Sequence, residues 1–91
     1  MNPMIGRKCV VRTFSAGVHI GMVESVDGKN VYLKDCLRLW SWEGSLSLSG
    51  VAENGITGGR LQRHSEVWLS EMVELIPCTE KAWQTYLQYV E

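Results

Sequence analysis

The sequence lacks a charge excess of either sign and any long hydrophobic run. Its 91 residues include 9 basic and 10 acidic side chains, which gives a formal net charge of -1. General nucleic-acid binders and proteins that bind anionic membranes carry a basic excess, so this balance argues against both classes. No segment approaches the roughly 18 apolar residues of a membrane span, and the N-terminus has no signal-peptide core. We therefore expect a cytoplasmic protein with no membrane partner.

Paired cysteines are missing as well. Cys9, Cys36 and Cys78 are far apart, and none forms a Cys-x-x-Cys motif. An odd number of separated cysteines is typical of a reducing compartment, where small thiols serve as buried apolar residues. His19 and His64 have no cysteine partner at zinc-ligand spacing. We predict no metal site and no cofactor.

The common catalytic motifs are also absent. The sequence has no Gly-x-x-x-x-Gly-Lys phosphate loop, no dinucleotide fingerprint and no His-Glu-x-x-His motif. Acidic residues are scattered, so no carboxylate pair is indicated. Cys9 and His19 could meet in the fold as nucleophile and base, but nothing in the sequence supports that pair. We expect a protein that is not an enzyme.

Alternation of apolar and polar residues predicts several strands. A period of two is typical of a strand with one buried face, and the β-branched residues favour strands further. Asp27-Gly28 is a strong signal for a tight hairpin turn. The predicted strands are residues 7–13, 18–24, 31–35, 36–42, 66–70 and 72–76.

Two helices are predicted. The first is short and follows Ser45, which could cap it, and Asn54-Gly55 would end it because both residues tolerate a left-handed conformation. Gly50 weakens this prediction. The second helix follows the N-cap Thr79, and its apolar residues recur at helical spacing over residues 81–90.

These elements predict a single α+β domain over residues 1–91. It would be a small, mostly antiparallel β-sheet or open SH3-like barrel with a short internal helix and a C-terminal α-helix. Residues 56–65 are expected to form an exposed, basic, mobile loop. A chain of this length is marginally stable alone. The apolar face of the second helix and the four tryptophans give it much apolar surface to cover. We therefore expect a homo-oligomer.

Residues 37–48 carry the main signal for recognition. A regular strand would place Arg38, Trp40 and Trp42 together on one face. Leu37, Leu39 and Ser41 would occupy the opposite face. Arginine can hold a phosphate or carboxylate through two parallel hydrogen bonds, and tryptophan can stack on a base.

Other polar residues could complete an anion site. Arg12 and Arg38 are expected to take phosphates, and His19 with Ser15 would hydrogen-bond a ribose or a phosphate. Serine hydroxyls and backbone N–H groups beside glycines could form a cradle for the anion. The candidate ligand-binding residues are Arg12, Ser15, Gly17, His19, Arg38, Trp40, Trp42, Ser45 and Ser47.

A structural explanation of the same residues remains open. Trp40 and Trp42 could pack beneath the C-terminal helix. Arg38 could form an ion pair with Glu43 or Asp35. In that case the face would hold the domain together rather than bind a ligand.

Four blocks of the sequence form a pattern. They are Arg12-Thr13-Phe14-Ser15-Ala16-Gly17-Val18-His19-Ile20-Gly21, Arg38-Leu39-Trp40-Ser41-Trp42-Glu43-Gly44, Ser45-Leu46-Ser47 and Glu74-Leu75-Ile76-Pro77-Cys78-Thr79. The pattern resembles a family of small phage and prophage proteins catalogued as a domain of unknown function. The resemblance covers nearly the whole chain, and its departure is Gly50, where a better helix former is expected. It implies a phage or prophage origin and a place in the host cytoplasm.

The leading hypothesis is a non-catalytic phage protein that sequesters a nucleotide-like signalling molecule. Such a sponge would block host antiviral defence. The alternative is a protein-interaction module that inhibits a host protein through exposed tryptophans and residues 60–64. A small enzyme that acts on a nucleotide is a third option.

Overall fold

Five antiparallel strands and two helices make up the protein, whose computed structural model describes residues 2–91. The strands are β1 (Lys8–Thr13), β2 (Val18–Asp27), β3 (Asn30–Glu43), β4 (Gly58–Leu69) and β5 (Met72–Pro77). The helices are α1 (Leu48–Asn54) and α2 (Glu80–Leu87). The strand order is β4-β3-β2-β1-β5, so β4 and β5 are the edges of an open sheet. The predicted α+β class, the antiparallel sheet and both helices are confirmed.

The hairpin between β2 and β3 turns where the sequence indicates. Asp27 pairs with Asn30, and Gly28 between them has a φ of 61°. Glycine adopts this left-handed conformation without the steric penalty of a Cβ atom. The Asp-Gly pair therefore fixes the register of β2 and β3, two neighbours in the interior of the sheet.

The sheet is covered on both faces. One face packs against α1 and α2 and forms the helix-side core, whereas the opposite face forms a second core. The helix-side core contains Val10, Ile20, Leu37, Leu39, Val51, Ala52, Ile56, Leu61, Ala82, Trp83 and Tyr86. The second core contains Cys9, Val11, Val23, Val31, Leu33, Cys36 and Leu69.

β3 contains an extra residue near Asp35. Met22 of β2 pairs with Lys34. Ile20, two residues earlier in β2, pairs with Leu37, which is three residues later in β3. Asp35 has a positive φ of 48°, which is uncommon for a residue other than glycine. The extra residue reverses the alternation, so odd-numbered residues before it lie in the second core and those after it lie in the helix-side core.

Trp40 is a second extra residue of β3. Leu39 pairs with Leu61 of β4. Ser41, two residues after Leu39, pairs with Arg60, which is only one residue from Leu61 in β4. A bulge of this kind turns the strand and changes which side chains share a face.

The prediction that Arg38, Trp40 and Trp42 share a face is therefore wrong for Trp42. After the bulge, Trp42 is half-buried against the helix-side core, and its indole N–H donates to the carbonyl of Ser45 at 3.0 Å. Trp40 instead points outward and is 64% exposed. A two-residue spacing does not place side chains together when a bulge lies between them.

Helix α1 begins two residues later than predicted. Ser47, not Ser45, is its N-cap, and the Ser47 hydroxyl accepts a hydrogen bond from the Gly50 N–H at 3.2 Å. The Ser45 hydroxyl donates to the Gly55 carbonyl at 2.8 Å. The predicted end is confirmed, because Gly55 follows the helix with a φ of 87°.

Helix α2 begins as predicted but ends earlier. Thr79 is the N-cap and accepts a hydrogen bond from the Ala82 N–H at 3.0 Å. The helix ends at Leu87, three residues before the predicted end. Trp83 and Tyr86 are buried in the helix-side core. The apolar face of α2 is thus covered by its own chain, which removes this face as a reason to expect an oligomer.

Residues 56–65 do not form the predicted loop. Most of them belong to β4, which pairs with β3 along its length. The basic residues and the Gly58-Gly59 pair resemble a loop in composition. Buried Leu61 between exposed Arg60 and Gln62 shows that the segment is an edge strand with an alternating pattern.

Candidate functional site

Arg38 and Trp40 lie together on the surface of β3. The guanidinium carbon of Arg38 is 5.9 Å from the centroid of the Trp40 ring, within the range of a cation–π interaction. In residues 2–91 Arg38 forms no ion pair, because Asp35 is bound by Arg63 at 2.6 Å. The alternative in which Arg38 pairs with Glu43 or Asp35 is therefore wrong, and its guanidinium remains available to an anion.

A shallow groove of about 320 Å³ lies beside this pair. We call it the β3–β4 groove, and its walls are Trp40, Arg60, Gln62 and Glu91. Gln62 is the cross-strand partner of Arg38. Arg60 and Glu91 form an exposed ion pair at 3.6 Å, which contributes little to stability. The groove therefore offers an aromatic wall, an amide and a cation that a ligand could take over.

His19 lies behind Arg38 on the neighbouring strand. It pairs with Arg38 across β2 and β3 and is completely buried. Burial lowers the pKa of the His19 imidazole, and the positive charge of Arg38 lowers it further against the opposing effect of the Ala16 hydrogen bond. His19 is therefore neutral at neutral pH. Its Nε2 lies 3.0 Å from the Ala16 carbonyl, which can only accept a hydrogen bond, so Nε2 carries the proton.

Three buried nitrogen atoms around Arg38 have no hydrogen-bond partner within residues 2–91. They are His19 Nδ1, Arg38 Nε and His64 Nε2, and we call them the nitrogen cluster. The imidazole centroids of His19 and His64 are 6.3 Å apart. An unpaired buried polar group costs about 1–3 kcal/mol. Three such atoms in one place indicate a site that a polar ligand would complete.

Arg12 does not join this site. Arg12 pairs with Val18, the residue before His19, so the Arg12 and His19 side chains project from opposite faces of the sheet. The Arg12 guanidinium instead forms an ion pair with Glu74 at 3.3 Å. The prediction that Arg12 and Arg38 act together on phosphates is therefore wrong.

The turn before β2 is held by its own hydrogen bonds. The Ser15 hydroxyl donates to the Glu71 carboxylate. Gly17 has a φ of 84°, and its carbonyl accepts a hydrogen bond from the Thr13 hydroxyl at 2.7 Å. The bond from His19 to Ala16 connects this turn to the site, but the Ser15 and Gly17 groups already have partners.

Three other predicted site residues serve the fold. Trp42 donates its N–H to the backbone beside α1, and the hydroxyls of Ser45 and Ser47 close the two ends of the α1 segment. The structure thus brings together His19, Arg38 and Trp40. The expected serine cradle for an anion is wrong, because those hydroxyls are already used.

The β4 residues of this site are predicted from the sequence only as part of a protein-docking loop, residues 60–64, and not as contacts of a small ligand. Arg60, Gln62 and His64 alternate with Leu61, and the strand places them beside β3. Their spacing of two, around a buried leucine, was the available signal. The loop-like composition of this segment obscures that signal.

A second groove of about 410 Å³ lies at the start of β5. Phe14, Lys29, Glu71, Met72 and Val73 line it. Phe14 is 85% exposed, and Val73 is also exposed. This groove is mainly apolar and contains none of the three nitrogen atoms of the cluster.

The cysteines are separate from the site chemistry. Burial raises the pKa of the Cys9 and Cys36 thiols, and burial raises the pKa of Cys78 to about 11. The thiolate is the reactive form, so these environments keep the thiols unreactive. Within residues 2–91 no group of three or more His, Cys, Asp or Glu side chains is arranged to hold a metal ion. Neither helix of this region is long and apolar enough to cross a bilayer.

The sheet order and the two helices define a small, open α+β domain with a cationic and aromatic surface on β3. Residues 6–86 match the family described as a domain of unknown function, DUF6948. The chain belongs to this family, which confirms only the expectation of a family catalogued as a domain of unknown function. No curated protein matches the chain.

Proposed function

We propose that the protein binds a small, nucleotide-like anion in the β3–β4 groove and does not transform it. The observation that carries this proposal is the Arg38 guanidinium, which lies 5.9 Å from the exposed Trp40 ring and has no carboxylate partner in the described chain. The Trp40 ring would stack on a base, worth about 1–3 kcal/mol. Arg38 would hold a phosphate through two parallel hydrogen bonds.

The biological role follows from sequestration. The resemblance to phage and prophage proteins supports an origin in a phage, and we propose that the protein acts in the host cytoplasm. There it would remove a signalling nucleotide used in antiviral defence. A sponge of this kind needs affinity rather than chemistry, and the protonated thiols of Cys9 and Cys36 agree with a non-catalytic role.

Calorimetric titration tests the proposal directly. Cyclic dinucleotides, cyclic trinucleotides and cyclic ADP-ribose isomers should be titrated separately into the intact chain. At least one is expected to bind, and Trp40→Ala and Arg38→Gln should each weaken binding about tenfold or more. Arg63→Gln is the matched control, because Arg63 is engaged by Asp35. Absence of heat with all of these ligands at tens of micromolar protein would contradict the proposal.

Glu91 provides a test of the ligand's charge. Its carboxylate lines the β3–β4 groove and pairs with Arg60. Glu91→Gln removes a negative charge and releases Arg60, so an anionic ligand should bind severalfold more tightly. Unchanged affinity would show that the ligand is not recognised through negative charge.

A protein partner is the second candidate, and the apolar groove around Phe14 favours it. Phe14 and Val73 are exposed beside Met72, and exposed apolar patches commonly mark interaction sites. In this case a pull-down from host lysate should recover one stoichiometric protein, and Phe14→Ser should abolish its capture. Capture that persists in Phe14→Ser would exclude this groove as the docking site.

A further inference from the structure

The nitrogen cluster is built from three neighbouring strands. His19 on β2 pairs with Arg38 on β3, and His64 on β4, which pairs with Cys36, lies diagonally next to Arg38. His19 is completely buried, whereas Arg38 and His64 are half-buried and form the outer side. All three nitrogen atoms are shielded from solvent, so a small group reaches them only when the Arg38 or His64 side chain moves aside.

The spacing of the two imidazoles suits a shared acceptor. Their centroids are 6.3 Å apart. Two nitrogen–oxygen hydrogen bonds of about 2.9 Å can span this separation through one oxygen atom. Arg38 Nε is a further buried donor without a partner, on the strand between the two histidines. The chemical class with several oxygen atoms and negative charge to match three donors is a tetrahedral oxyanion.

One of the three nitrogens is not yet a donor. Nε2 of His19 carries the ring proton because it faces the Ala16 carbonyl, so Nδ1 of the neutral ring has only a lone pair. A lone pair repels an anion. Binding therefore requires that Nδ1 gain a proton, which converts the ring into an imidazolium with two donors.

We propose that the nitrogen cluster is a proton-linked subsite for the phosphate group of the ligand, and that His19 takes up a proton at Nδ1 when this group binds. This inference rests on the proposed function and specifies its ligand as a phosphate compound. It also makes His19 a sensor of occupancy, since the charge of the ring reports whether the anion is present.

The charged and titratable groups around His19 determine whether its pKa rises or falls when an anion binds. They are Arg38 and Cys36 on β3, His64 on β4 and Cys9 on β1, while β5 presents Leu75 to this core. Burial raises the pKa of both thiols, so they stay neutral. Without an anion, burial and the charge of Arg38 lower the pKa of His19. A bound anion offsets the positive charge of Arg38 and therefore raises the pKa of His19 again.

Affinity should therefore increase as pH falls. Between the low pKa of free His19 and the higher pKa of the bound state, binding takes up one proton. In that window the affinity decreases by about tenfold for each unit of rising pH. Phosphate changes its own charge near pH 6, so it is an unsuitable probe of this effect. Sulfate remains a dianion throughout and isolates the contribution of the protein.

The experiment is a titration of the intact chain with sodium sulfate, followed by nitrogen-15 NMR of the imidazole rings. Spectra at about pH 6 and about pH 8 bracket the ordinary histidine pKa. Sulfate is expected to shift His19 Nδ1 from the unprotonated to the protonated position, with clearly higher affinity at the lower pH. Shifts that are absent, or equal affinities at both pH values, would overturn the subsite.

Variants separate the subsite from an effect on folding. His19→Asn could fail to fold because His19 is fully buried, so Arg38→Gln and His64→Gln are the informative changes. Both should weaken sulfate binding about tenfold while the far-ultraviolet circular dichroism stays unchanged. Arg63→Gln, next to His64 but held by Asp35, should bind sulfate like the wild type. Equal loss in Arg63→Gln would indicate only a general effect of surface charge and would overturn the subsite.

The sulfate titration tests the subsite and the nucleotide titration tests the proposed function, so each can give a negative result without the other. Nucleotide binding with an unresponsive His19 would retain the proposed function and reject the subsite. A sulfate response without binding of any tested nucleotide would retain the subsite and reject the nucleotide-like ligand. If neither titration shows a response, both the subsite and the proposed function are rejected.

Discussion

Trp40 and Trp42 are two residues apart but belong to different parts of the molecule. Trp40 is exposed beside Arg38, whereas Trp42 packs against the helix-side core and donates to the Ser45 carbonyl. The bulge at Trp40 separates an exposed residue beside Arg38 from one that packs into the fold. The two tryptophans can therefore be tested against each other.

Truncation of the two tryptophans should lower the free energy of unfolding by very different amounts. Trp42→Ala removes half-buried aromatic surface and a hydrogen bond, so we expect the free energy of unfolding to decrease by about 2–4 kcal/mol. Trp40→Ala should change it by less than about 0.5 kcal/mol, because exposed residues contribute little. Urea denaturation followed by circular dichroism measures both values. Equal losses would show that Trp40 also supports the fold.

The buried imidazole of His19 should make stability depend on pH. Its folded pKa is lowered from 6.5, chiefly by burial. The unfolded chain then binds more protons below pH 6.5, so this stability is present above 6.5 and is lost as pH falls towards the folded pKa. The slope should approach about 1.4 kcal/mol per pH unit.

Urea denaturation at about pH 7.5, 6.5 and 5.5 measures this dependence in sulfate-free buffer. The Arg63→Gln variant is the control and should retain the slope, because it leaves His19 and the side chains that shift its pKa unchanged. A free energy of unfolding that stays constant across this range would contradict a neutral, buried His19.

At the residue scale, the sequence predicted part of the site. His19, Arg38 and Trp40 were predicted together, because arginine, histidine and tryptophan are the residue types that recognise phosphates and bases. Trp42 and Arg12 could not be placed correctly. Their positions depend on a bulge and on the pairing register, and neither feature has a local signal in the sequence.

At the element scale, one threonine joins the two helices. The Thr79 hydroxyl accepts a hydrogen bond from the Ala82 N–H and donates at 2.9 Å to the carbonyl of Glu53 at the end of α1. The backbone N–H of Thr79 also donates to the Ala52 carbonyl at 3.0 Å. Thr79 therefore caps α2 and fixes α1 beside it.

Removal of this hydroxyl should weaken both helices. Thr79→Ala loses the cap and the bond to α1, so we expect the free energy of unfolding to decrease by about 1–2 kcal/mol. Thr79→Ser is the matched control, because it keeps the hydroxyl, and it should lose less than about 0.5 kcal/mol. Thermal denaturation of both variants provides the comparison. A serine variant as unstable as the alanine variant would assign the effect to the methyl group.

The elements were predictable where local chemistry determines them. Alternation indicated β1 and β2, Asp27-Gly28 indicated the hairpin, and Thr79 indicated the start of α2. The predicted strand 66–70 agrees with the end of β4, but residues 58–65 of β4 were not predicted because their identity depends on pairing with β3. Residues that resemble a loop in composition form a strand when a long neighbour offers its backbone hydrogen bonds.

At the scale of the whole molecule, the open edges of the sheet matter most. β4 and β5 are both edge strands. The C-terminal residues cover β4 only near Leu61, which pairs with Val90 and accepts a hydrogen bond from the Glu91 N–H. Farther along β4, Trp68 is 58% exposed. This edge replaces the face of α2 as the place where a homo-oligomer could form.

Homo-oligomerisation stays a prediction, and Trp68 tests it. If copies associate through the β4 edge, Trp68→Asp should convert an oligomer into a monomer, because it places a charge in an apolar contact. Phe14→Ser, a change near the opposite edge, should leave the assembly intact. Sedimentation velocity at several concentrations measures the mass. A wild-type chain that sediments only as a monomer would contradict the prediction.

The two extra residues of β3 have a consequence for how this protein can change over time. Leu37 and Leu39 are buried in the helix-side core, whereas Arg38 between them is half-buried on the opposite face and Trp40 after them is exposed. Ligand preference could therefore drift through substitutions at those two outward positions without loss of foldability. One strand would then combine a fixed scaffold with a freely adjustable surface.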